Sequence, residues 1–124
     1  MKQDPWYIDI RYWPIRAWYR ITNAYDEVRW AIQRARRGYD DTTRWGLYCT
    51  VTDISLPVLV WMKENARGYP AQLNSMEEWQ EILGKMITAF EIIKRDDWEE
   101  QDKRQKELQE GLDLFAKYFR NLWD

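Results

Sequence analysis

Apolar residues recur along most of the chain at steps of three and four, the spacing that gathers side chains on one face of a helix. From Pro14 onward, Trp18, Ile21, Tyr25, Val28, Ile32 and Ala35 keep this rule and predict a first long helix, running to about Arg37, with a core-facing stripe. Proline suits the first helical position, where its missing N–H costs nothing. Arg34, Arg36 and Arg37 fall in the last turn, where they favour the helix dipole, and Gly38 is placed to stop the helix. Residues 1–13 hold Trp6, Tyr7, Ile8, Ile10, Tyr12 and Trp13 in partly alternating order, which predicts an aromatic-basic arm that is either extended or a short helix.

Residues 38–43 form a turn rich in N-cap candidates. A second helix is predicted behind it, carrying Trp45, Tyr48, Thr52, Ser55, Leu59 and Met62 on its apolar stripe and ending at Gly68, with a kink or break at Pro57. After the Gly68-Tyr69-Pro70 turn, Ser75 and Glu78 match a capping box. The stripe Trp79, Ile82, Leu83, Met86, Ile87, Phe90, Ile93 that follows is the clearest amphipathic helix of the chain. Asp96 with Glu99 is a second cap signature. Residues 94–109 read as a charged, solvated segment in which Glu99–Lys103, Glu100–Arg104 and Asp102–Lys106 are acid-before-base pairs at four-residue spacing. The apolar stripe resumes at Leu108, Leu112, Phe115, Phe119 and Leu122. Helices of this length joined by short turns predict an all-α fold, a compact four-helix, bundle-like single domain over residues 1–124.

Composition narrows the chemistry. With 124 residues, 45% of them hydrophobic, the chain builds a core without metal or disulfide staples. Its longest mostly apolar run, Leu56 to Met62, contains Pro57 and falls far short of the ~20 residues of a membrane span. The opening Met-Lys-Gln-Asp-Pro-Trp puts an acid and a proline where a signal peptide has its apolar segment, which predicts a cytoplasmic protein without a membrane partner. One cysteine, Cys49, rules out an intramolecular disulfide and a cysteine-based zinc site, and on a helix it reads as a packing residue. There is no histidine. Ser-His and Cys-His nucleophile pairs, imidazole proton shuttles and most zinc, copper and non-haem iron sites therefore drop out. Carboxylate chemistry with a hard metal, lysine or tyrosine chemistry, or binding without chemistry remain.

Charge is unevenly distributed. Residues 1–37 carry eight bases (Lys2, Arg11, Arg16, Arg20, Arg29, Arg34, Arg36, Arg37) against four acids (Asp4, Asp9, Asp26, Glu27), or +4, so the other 87 residues sum to −6 of the total −2. This is either a basic helix packing beside acidic ones or a basic binding face. The nine tryptophans sharpen that alternative. Trp45 and Trp79 sit on apolar stripes, where core packing is the default. Trp6, Trp13, Trp18 and Trp30 interleave with Arg11, Arg16, Arg20 and Arg29, a mixture that packs arginine stems on indoles or offers a surface to bases and partner proteins. In the turns, Tyr39, Asp40, Asp41 and Tyr69 are explained by capping and turn-making. Arg34, Arg36 and Arg37 beside Asp40 and Asp41 make either an ion-pair network or an anion site.

Glu78-x-x-Glu81 and Glu110-x-x-Asp113 resemble the paired ExxE and ExxD pattern with which the all-α nucleoside triphosphate pyrophosphatases hold Mg²⁺. The helical wheel opposes the resemblance: Glu81 points away from the Trp79–Phe90 side, and Glu110 and Asp113 lie opposite Leu112, Phe115 and Phe119.

A second resemblance covers residues 36–124. Arg36-Arg37-Gly38-Tyr39-Asp40-Asp41 with Trp45, Gly68-Tyr69-Pro70, Glu77-Glu78-Trp79, Met86-Ile87-Thr88-Ala89-Phe90-Glu91 and the closing stretch from Leu114 to Asp124, ending Leu122-Trp123-Asp124, are similar to the pattern of a family of small bacteriophage and prophage proteins. The resemblance implies a viral origin and an all-helical fold, and it assigns no activity. Together with the missing histidine and the wealth of Trp and Tyr it leads to the expectation of a phage accessory protein, not an enzyme. Such a protein would need no cofactor and would bind stoichiometrically to a host protein or protein–nucleic acid complex, for instance one of antiviral defence. The contact surface expected first is the face of Arg16, Arg20 and Trp30 with the turn from Arg36, Arg37, Tyr39, Asp40 and Asp41 to Trp45. The alternative is a nucleotide or small-ligand binder using Tyr39, Trp45, Tyr69 and Trp79 as stacking faces, with arginines for the phosphates; a Mg²⁺-dependent pyrophosphohydrolase ranks third.

Overall fold

A computed structural model describes the backbone of residues 6–123 and the side chains of residues 14–123. The chain is all-α, and its residues form two units, Met1–Trp45 and Gly46–Asp124.

The first unit holds α1 (Trp6–Arg37) and α2 (Asp41–Trp45). The helix starts eight residues before Pro14, which lies inside it, so the backbone of Trp6–Trp13 is neither an extended arm nor a separate short helix. No glycine precedes Pro14 to end the helix, and the proline withholds one N–H from the ladder without stopping it. The side chains of residues 1–13, with the Trp6, Arg11 and Trp13 part of the aromatic-basic reading, lie outside the described residues. The C-terminal end is as the sequence predicts: Gly38 adopts φ +83°, and its N–H donates to the Arg34 carbonyl at 2.9 Å.

The predicted stripe of α1 forms but is not buried. Trp18 is 64% exposed, Ile21 63%, Tyr25 66%, Val28 60% and Ile32 49%. The five residues of α2 are too few to cover it, and Trp45 packs against Trp30, which the helical repeat puts on the opposite side of α1. Trp45 itself is 69% exposed, so its assignment to a core stripe is corrected.

The second unit holds α3 (Leu47–Asn65), α4 (Met76–Arg95), α5 (Trp98–Lys103), α6 (Gln105–Lys117) and a 3₁₀ turn (Phe119–Asn121). The predicted second helix is broken at Gly46 rather than at Pro57, through which α3 runs on, and it ends at Asn65 rather than Gly68. Gly46 has the low helix propensity that allows the break, and its carbonyl accepts the N–H groups of Cys49 and Thr50. Cys49, expected as a packing residue, is exposed.

In this unit α4 lies between α3 and α6 and is buried on two sides, which is why it carries the clearest stripe. Leu83, Met86, Ala89 and Ile92 have no accessible surface, and Leu59, Met62, Leu73, Trp79, Phe90 and Tyr118 close around them. Edge-to-face rings tie the layers together: Trp79 with Tyr118 at 5.6 Å, Phe90 with Phe115 at 5.0 Å and Phe115 with Phe119 at 5.5 Å. Buried Gly111 on α6 lets the chain approach Ala89 and the Lys85 carbonyl on α4, and Lys85 and Glu110 bridge the same crossing at 2.8 Å.

Capping follows the sequence with a one-residue correction. The Ser75 hydroxyl accepts the Glu78 N–H at 3.2 Å, while the Glu78 carboxylate reaches back to the Asn74 N–H at 3.1 Å. The second cap is Asp97, which accepts from Glu99 and Glu100, because Asp96 is used to end α4 in the left-handed conformation at φ 53°. Of the three predicted charge pairs, Glu100–Arg104 forms at 3.0 Å, and its members also reach Arg95 and Glu107.

Candidate functional site: an aromatic cleft in the second unit

The end of α3, the turn after it, the start of α4 and the C-terminal residues enclose an open cleft of about 510 Å³. Trp61 and Met62 come from the last turns of α3, and Ala66, Arg67, Gly68, Tyr69 and Pro70 from the turn. Trp79 lies in the first turn of α4, and Asn121 and Trp123 follow α6. The floor is apolar: Trp79, Met62 and Pro70 are buried, and Trp79 packs edge-to-face against Tyr118. Trp61, Tyr69 and Trp123 form the exposed walls.

Local sequence explains the shape. Leu59 and Met62 turn inward on α3, so Trp61 is rotated to the rim. The carbonyl of Pro70 accepts the Leu73 N–H at 2.9 Å, and Leu73 buries itself beneath the turn, which holds Tyr69 and Arg67 outward. Gln80 donates to the Lys63 carbonyl at 3.2 Å and fixes the end of α3 to α4. Among the described residues no carboxylate lines the cleft, and the one charged residue that does is the exposed Arg67. Volume, flat rings and a cation suit a planar or apolar group that carries negative charge.

The sequence-expected candidates separate accordingly. Tyr69 and Trp79 share the cleft, whereas Tyr39 and Trp45 belong to the other unit. Trp61, Arg67 and Trp123 were not among the candidates. The available signal was Trp61 off the inward stripe of its helix and Trp123 next to Leu122 at the end of another.

The turn of the first unit is an ion-pair network. Arg34 meets Asp40 at 2.6 Å, and Asp41 meets Arg37 and Arg44 at 2.9 Å each and Arg29 at 3.8 Å. Gln33 both donates to Asp41 and accepts its N–H, at 3.0 Å each. Asp40 accepts from the Thr42 hydroxyl and, at 3.1 Å, from the Thr43 N–H, an N-cap geometry for α2. The Thr42 hydroxyl and the Arg34 guanidinium hold the Asp40 carboxyl at a pKa of about 2, below its ordinary 3.8; hydrogen bonds from Gln33 and then Arg37 lower that of Asp41. Arg37 also stacks on the Tyr39 ring at 4.5 Å. Of the alternatives for this turn, the geometry is therefore that of paired charges. Arg36 is exposed and outside the network, and Arg16 and Arg20 are exposed on α1. Trp30 meets Trp45 edge-to-face at 6.0 Å, and its buried indole N–H has no hydrogen-bond acceptor among the described residues.

Of the four carboxylates that resemble a Mg²⁺ motif, three have other partners and Glu81 is exposed. Glu78 caps α4, Glu110 binds Lys85, and Asp113 accepts from Gln109 at 2.8 Å. Among the described residues no three Asp, Glu or Cys side chains gather where they would hold a metal ion, and no helix is long and apolar enough to cross a membrane.

The fold and cleft define a helical chain with an aromatic, cationic recess. No family model matches the chain, and neither a curated protein nor a solved structure does.

Proposed function

We propose that this chain is a binding protein without catalytic activity, a phage accessory protein that acts by stoichiometric occupation of a host macromolecule such as an antiviral-defence component. The second-unit cleft would be its contact surface. The observation that carries the reading is that cleft: Trp61, Tyr69 and Trp123 stay exposed around a floor of buried Met62, Pro70 and Trp79. Tryptophan, tyrosine and arginine are the usual anchors of protein recognition, and the flat rings bring contact area at low entropic cost. The histidine-free sequence supports binding over catalysis, and the motif resemblance supports the viral setting.

The test compares tagged wild-type protein with the Trp61→Ala/Tyr69→Ala double variant in capture from host lysate at several salt concentrations. A defined partner, stoichiometric with the wild type and lost from the variant, is expected. Recovery of nothing, or equal recovery by both, would overturn the proposal.

The size of the cleft and the presence of Arg67 favour one second reading, a nucleotide or other small anionic aromatic ligand. A thermal-shift screen separates the two, since a ligand at a hundred times its Kd adds about 2.7 kcal/mol. A shift that disappears in Tyr69→Ala and Arg67→Ala would assign the cleft to the small ligand.

A further inference from the structure

The exposed stripe of α1 has a self-complementary order. Trp18, Tyr25 and Ile32 occupy one position of a seven-residue repeat, and Ile21, Val28 and Ala35 the position three residues later, the pattern of a helix seam. A two-fold axis passing between Asp26 and Glu27 would set Trp18 opposite Ala35 of a second copy, Ile21 opposite Ile32, and Tyr25 opposite Val28. Each large side chain then faces a smaller one or an equal. A parallel pairing would stack Trp18 on Trp18 and Ala35 on Ala35, leaving the seam wide at one end and hollow at the other.

We infer that the α1 stripe is the interface of an antiparallel homodimer. The flanks agree with this pairing. Ala17, Ala24 and Ala31 recur every seven residues along one edge and allow the helix axes to approach closely. On the other edge Arg29 meets Thr22 of the second copy and Arg36 meets Ile15, so no two arginines are set face to face across it. Near the axis Arg29 and Asp26, which already pair at 3.7 Å within one chain, alternate with their symmetry mates in a mixed-charge group. Opposed helix dipoles favour the same orientation.

The area is sufficient. With exposures of 49–66% at Trp18, Ile21, Tyr25, Val28 and Ile32, and with the alanine edge added, the stripe offers about 600–800 Å² per chain, close to the ~800 Å² per partner of a stable interface. A two-fold axis makes the same patch serve both copies, which is the commonest way for a chain to cover such a face.

The test is sedimentation velocity of the full chain over a wide concentration range, with variants on α1. The wild type is expected to dimerise. Tyr25→Glu should raise the dimer dissociation constant by about thirtyfold or more, as for the loss of a central anchor. Ala35→Trp should also weaken the dimer by setting Trp against Trp18, and Trp18→Ala in the same chain should restore it, because the exchange again sets one Trp opposite one Ala. A monomer at every concentration, or a dimer indifferent to Tyr25→Glu, would overturn the inference. Orientation is read independently in a Cys49→Ser background by mixing Ile21→Cys with Ile32→Cys under mild oxidation. A disulfide-linked dimer is expected in the mixture and in neither variant alone; self-linking of Ile21→Cys, or no link at all, would refute the pairing.

Discussion

Gly111→Ala tests the packing of the second unit with a single methyl group. Two effects oppose each other. Replacing glycine by alanine inside a helix gains about 1 kcal/mol in backbone entropy and propensity. The new methyl, however, would stand 2.5 Å from the Lys85 carbonyl oxygen and closer still to the Ala89 Cβ. Both are rigid parts of α4 that no rotamer change can move aside, so α4 and α6 must separate by about an ångström, at an overpacking cost in the upper part of the usual range, about 2–3 kcal/mol. Their separation also loosens the contact of Phe90 with Phe115 and of Trp79 with Tyr118. The net expectation is destabilisation by about 1–2 kcal/mol, or a fall in Tm of roughly 5–15 °C for a unit of this size. Gly84→Ala is the control. Its methyl would meet the Lys63 ammonium at 3.2 Å, the far end of a flexible side chain that swings away. The propensity term then stands alone, and a gain of about 0.5–1 kcal/mol is expected. Urea and thermal unfolding of the two variants should shift in opposite directions. If Gly111→Ala matched or exceeded the wild type, the close crossing of α4 and α6 would be wrong.

Two further outcomes follow from the caps and the turn. Ser75→Ala removes the acceptor for the Glu78 N–H and should cost about 1 kcal/mol, measured by urea unfolding; no change would show that solvent replaces it. Because the Asp40 pKa is about 2 in the folded chain against 3.8 when unperturbed, the turn is stabilised above pH 3.8 and loses that support as the pH falls toward 2. The Thr43 amide shift followed by NMR should titrate with a midpoint near pH 2, and Asp40→Asn should abolish the titration; a midpoint at or above 3.8 would contradict the network.

Local sequence determined the helices themselves. The three-and-four spacing located α1, α3, α4 and α6, Gly38 and Ser75 marked ends that hold in the structure, and the stripe from Trp79 to Ile93 foretold the central helix. These signals are legible because they depend on residues within one or two turns of each other. The start of α1 ahead of Pro14, the continuity of α3 through Pro57 and the shift of the second cap from Asp96 to Asp97 were settled by competition between neighbouring signals of similar strength. Periodicity also cannot say what covers a stripe. The runs on α1 and α4 look alike in sequence, yet α4 is enclosed by two helices while that of α1 stays exposed. The cleft is a tertiary product for the same reason: Trp61, Arg67, Tyr69, Trp79 and Trp123 are distant along the chain, and only the packing of α3, α4 and α6 brings them to one place.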